Sequence, residues 1–104
     1  MNIIFFTTSP VMSNLIKNIL TTDNITISTN PNNFGSDSFD LIIIEEDLFT
    51  NSIGTHSIPV LLLTTSGNRD EECLSLYNQT KQGRCLSKPF YPDDLISAIS
   101  QLTS

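Results

Sequence analysis

The chain has 104 residues, with 5 Lys and Arg against 11 Asp and Glu and a formal net charge of −6. That length excludes a second catalytic domain and predicts a single domain over residues 1–104. The acidic balance argues against direct binding to nucleic acid or to an anionic membrane surface, since both need clustered Lys and Arg.

In chain order, the first apolar run is Ile3–Phe6. Neither a basic segment nor a long apolar stretch accompanies it, so it reads as a strand and not as a signal peptide. Ser9-Pro10 follows as a helix start, because Ser caps and Pro suits the first helical position. Val11, Met12, Leu15, Ile16, Ile19 and Leu20 then keep helical spacing. Asn24–Thr29 alternates strictly between polar and β-branched residues, which predicts an edge strand with one wetter face. Residues 30–40 are rich in turn formers and look non-helical.

Leu41–Ile44 and Val60–Leu63 are continuous apolar runs, like Ile3–Phe6. Runs of that kind predict central strands of a parallel sheet covered on both faces. Residues 48–59 between them look at most weakly helical. Asp70, Glu71 and Glu72 open a predicted helix over 69–81, where carboxylates favour the positive end of the helix dipole. Arg84–Ser87 is a weaker strand. Tyr91-Pro92-Asp93-Asp94 starts a last helix that continues through Leu95, Ile96, Ala98, Ile99 and Leu102. No apolar run approaches the ~20 residues of a membrane span. The order is that of an open α/β sheet with two unusually short crossovers.

Three stretches together resemble the response-regulator receiver domain. They are Ile3–Pro10, Phe39–Glu45, and Ile58–Thr65 followed by Lys88-Pro89-Phe90. The resemblance implies a flavodoxin-like five-stranded parallel sheet in the order 2-1-3-4-5, with the second and third crossover helices shortened or absent. It also implies a cytoplasmic two-component, or phosphorelay, signalling domain.

Receiver chemistry uses a carboxylate nucleophile and Mg²⁺ held by an acidic pair, an ion that wants oxygen ligands, usually including carboxylates. Here the acidic-pair positions are Thr7 and Thr8, and the phospho-acceptor position is Glu45. The phosphate-site hydroxyl and lysine are retained as Thr64 and Lys88, Pro89 is the cis-peptide candidate, and the switch position is Cys85. Neutral threonines are poor substitutes for two charges. The expectation is therefore a pseudo-receiver: no enzyme, no cofactor, no metal, and signalling by protein contact without phosphorylation. Glu45 beside Lys88 predicts an ion pair that fixes one conformation. An active receiver phosphorylated on Glu45 or Asp47 is the alternative. A second alternative is a small anion- or nucleotide-binding module, in which Thr7–Ser9 would cradle the ligand at a helix start.

The shortened crossovers raise the question of what covers one sheet face. Phe34, Phe39, Phe49 and Ile53 are candidate plugs, and a second copy of the chain is the other candidate. The resemblance also implies a protein partner on the face that the family forms from its fourth helix, fifth strand and fifth helix; Arg69, Lys81, Arg84 and Lys88 fall between positions 69 and 88 and would give that face a modest positive stripe. Cys73 and Cys85 are expected to be reduced thiols, with one disulfide as the alternative. Arg84 and Lys88 near Cys85 also leave open a redox-sensor reading. His56 is alone, which argues against a His-based zinc site.

Overall fold

A computed structural model describes residues 1–31, 38–49, 58–64, 83–88 and 90–103. Five strands form one parallel sheet. They are β1 (Asn2–Phe6), β2 (Asn24–Ser28), β3 (Leu41–Glu45), β4 (Val60–Thr64) and β5 (Gly83–Ser87). Two helices are described, α1 (Pro10–Ile19) and α2 (Pro92–Thr103). The sheet order is β2-β1-β3-β4-β5 with every neighbouring pair parallel. This is the flavodoxin-like order expected from the sequence. Each strand extends the expected run by a residue at one end, except β2, which stops one residue earlier. The predicted helix over 69–81 lies outside the described residues, as do Phe34, Ile53, His56 and Pro89.

Strand side chains alternate between faces, and the apolar runs therefore feed two layers. Ile3, Phe5, Leu41, Ile43, Leu61 and Leu63 pack with Ile16 and Leu20 from the α1 region and with Leu95 and Ile99 from α2. Ile4, Phe6, Ile42, Ile44, Val60 and Leu62 form the opposite layer, with Phe39, Leu48, Phe49, Ile58 and Cys85 against it. The strand residues of this second layer are at most 2% exposed within the single chain. A second copy is thus not needed to cover the face, and Phe39 and Phe49 act as plugs. The edge strand β2 has no fully buried residue, in keeping with its alternating sequence.

Both helices begin with the local chemistry their sequences predict. Ser9 has an extended backbone, and its hydroxyl accepts from the Met12 N–H at 3.2 Å, with Pro10 next in line. At α2 the Asp94 carboxylate reaches back to accept the Tyr91 N–H at 3.1 Å, and Pro92 follows Tyr91. That reciprocal reach satisfies a donor that the first helical turn would leave orphaned.

Cys85 corrects the expectation of reduced thiols: it is disulfide-bonded. Its one possible partner in the sequence, Cys73, lies outside the described residues. On β5, Cys85 is half-buried and packs against the second layer. Residue spacing alone carries no information on the approach of two sulfurs.

Candidate functional site

Four strands deliver polar residues to the same end of the sheet. Thr7 follows β1, Glu45 ends β3, Thr64 ends β4, and Ser87 and Lys88 end and follow β5. This is the carboxyl end of the strands, at the point where β1 and β3 lie side by side. Open α/β sheets place their sites at such a topological switch point.

Backbone pairing fixes the positions. Phe6 faces Ile44 in the β1–β3 register and Glu45 faces Leu63 in the β3–β4 register, so one step beyond Phe6 brings Thr7 level with Glu45. The Lys88 N–H donates to the Thr64 carbonyl at 2.7 Å, and the Glu46 N–H to the Leu63 carbonyl at 3.0 Å. The ladder therefore runs past the strands and into the site.

Glu45 is the centre of the arrangement. It is 5% exposed and is flanked by Thr7 at 2% and Thr64 at 1%. The Thr7 hydroxyl donates to Glu45 Oε2, and the Lys88 ammonium donates to Glu45 Oε1. Lys88 and Glu45 thus form the ion pair that their sequence positions predict. The Lys88 side chain keeps 22% of its exposure, so the pair opens to water on the lysine side only. Thr7 also accepts the Ser9 N–H at 3.0 Å. Thr64 reaches Ser87, with 3.4 Å between the two hydroxyl oxygens.

Thr8 is exposed, and Asp47 is exposed on the turn after β3, which the Leu48 N–H closes onto the Glu45 carbonyl at 3.0 Å. Two contacts escape a reading of the sequence. Thr7 stands out there as a neutral replacement for an acid and as part of a possible anion cradle, whereas the structure makes it a donor to Glu45. Ser87 draws no notice at all. The signal for both is strand register: once β1 is aligned on β3 and β4 on β5, Thr7 falls beside Glu45 and Thr64 opposite Ser87.

The donor set does not suit Mg²⁺. That ion wants octahedral oxygen ligation that includes carboxylates. Here Glu45 is already paired with Lys88, and the acidic-pair positions hold Thr7 and Thr8, which bring no charge. Among the described residues, no group of three or more His, Cys, Asp or Glu side chains is placed to hold a metal. Nor does any helix among them have the length and apolarity to cross a membrane.

No protein-family model matches the sequence, and no curated protein matches it. Solved structures do resemble it. A response-regulator receiver domain from Clostridium thermocellum aligns with a TM-score of 0.79 at 18% identity, over 98% of this chain and 93% of its own. A chemotaxis response regulator of Vibrio cholerae gives 0.77 at 16% identity, over 97% of each chain. The ChxR receiver domain of Chlamydia trachomatis gives 0.72 at 23% identity, over 99% of this chain and 98% of its own. These likenesses agree with the sheet order, and they show that this chain has the fold of the response-regulator receiver domains.

Proposed function

We propose that this protein is a receiver-like signalling domain of two-component type that acts without phosphorylation, through contact with a protein partner. It is not an enzyme in this reading and uses no cofactor. The observation that carries the proposal is the state of Glu45. Its two oxygens are held by Thr7 and Lys88, so the carboxylate is fixed by the chain's own groups and a phosphoryl donor would have to compete with them. Lys88 in turn is paired with Glu45, so an incoming phosphate would have to compete for its ammonium. One conformation is thereby favoured by groups that are always present.

The partner surface in this proposal includes β5, where Arg84 is exposed, and the neighbouring α2. The exposed charges described there have both signs, Arg84 on β5 and Asp93 and Asp94 at the start of α2, so charge would contribute more to a partner's orientation than to its affinity. A cytoplasmic location belongs to the same reading. It rests on the fold resemblance alone, because the Cys85 disulfide removes the support that two reduced thiols would give.

The test is incubation of the protein with a small phosphodonor and Mg²⁺, followed by intact-mass measurement. The expected result is an unchanged mass. A stable gain of roughly 80 Da, one phosphoryl group, mapping to Glu45 or Asp47 would establish the active-receiver alternative instead.

A further inference from the structure

The contacts of Glu45 continue beyond the pair with Lys88. Lys88 donates to one carboxylate oxygen and Thr7 to the other. The same Thr7 oxygen accepts the Ser9 N–H at 3.0 Å. Ser9 is the N-cap of α1: its hydroxyl accepts the Met12 N–H at 3.2 Å, and its carbonyl accepts the Ser13 N–H at 3.0 Å. An unbroken line of hydrogen bonds therefore runs from the segment after β5, across the end of β3, past the end of β1 and into the first turn of α1. Lys88 and Ser9 are 79 residues apart in the chain.

We propose that Glu45 couples the position of Lys88 to the order of the first turn of α1, so that displacing Lys88 loosens that turn. The physical link is Thr7. A hydroxyl that donates to a carboxylate becomes a better acceptor, because hydrogen bonds in a chain polarise one another. The Ser9 N–H is the donor that gains. When Lys88 leaves, Glu45 is a buried charge with half its compensation gone, and its lowest-energy course is to turn toward water. Thr7 then loses its acceptor. Being β-branched, it has few χ1 wells in which to find another, and a change of well moves the oxygen that holds Ser9. The cap itself, Ser9 to Met12, sits one bond further on. A domain with this wiring passes a disturbance at the end of β5 to a helix on the other side of the sheet centre without a bound phosphoryl group. The coupling rests on these contacts and not on the signalling reading, so the phosphodonor experiment and this one fail independently.

The experiment is amide hydrogen exchange, resolved by NMR, on the full chain and its Lys88→Met and Thr7→Val variants. The amides read are those of Ser9, Met12 and Ser13. The Leu20 amide, bonded to the Ile16 carbonyl at 2.9 Å, is the reference at the far end of the same helix. In both variants, exchange at the first-turn amides is expected to rise roughly fivefold more than at Leu20, the change that loss of about one net hydrogen bond produces. Lys88→Met is the decisive variant, because Lys88 makes no direct hydrogen bond to α1 among the contacts described. If Lys88→Met does not fold, Glu45→Gln replaces it, since the neutral amide keeps the shape and weakens both ends of the line. An equal rise along the whole of α1, or no rise, overturns the proposal.

Discussion

The sheet has polar residues at both ends, and the two ends are built differently. At the amino end, the Asn2 N–H donates to Asp40 Oδ2 at 2.8 Å, and Asn24 Nδ2 donates to Asn2 Oδ1 at 3.0 Å, both in the open. The amino group of Met1 lies 3.4 Å from Asp23. At the carboxyl end, Thr7, Glu45 and Thr64 are buried, and one lysine closes the group. The chemical types are similar at the two ends, but the environments are not. Water competes for every contact at the amino end and screens its charges, so exposed pairs there are worth 0–1 kcal/mol or so. At the carboxyl end, the alternative to each contact is a stranded polar group. Burial, and not the number of hydrogen bonds, decides which end constrains the molecule.

That contrast can be broken by substitution at either end. The largest effect is expected from Lys88→Met, which removes the cation, so that Glu45 must either stay buried without it or give up its place and its contact with Thr7. A loss of about 3 kcal/mol is expected in urea unfolding, the low end for a stranded buried charge because Lys88 is partly exposed. A loss below about 1 kcal/mol would mean that this end behaves like the exposed one. The smallest effect is expected from Asp40→Ala at the amino end, a change within about 0.5 kcal/mol by the same measurement. A loss comparable to that of Lys88→Met would remove the distinction between the ends.

Most of the fold was legible because strand burial leaves a direct trace in sequence. Leu41–Ile44 and Val60–Leu63 are apolar at every position, and the residues of those runs fill both layers of the core. Asn24–Thr29 alternates, and β2 lies at the edge. Phe39 and Phe49 were recognisable as plugs, because large aromatic residues in short polar connections have little other reason to be there. The site was legible only in outline. Glu45 and Lys88 declare themselves by charge at the end of a strand and just after one. Thr7 and Ser87 do not, because a hydroxyl has no preferred partner until register and rotamer give it one. The Cys85 disulfide stood only as the alternative to two thiols for a related reason: pairing depends on distance in space, and two cysteines fix no distance.

The central claim is that the Glu45 carboxylate is held by Lys88 and is not free. A double-mutant cycle of Glu45→Gln and Lys88→Met, read by urea unfolding, tests it most directly. The expected coupling energy is about 2 kcal/mol or more, with the double variant more stable than Lys88→Met alone because the stranded charge is gone. A coupling energy below about 0.5 kcal/mol would show the pair to be a screened surface contact and the carboxylate to be available, which contradicts the account.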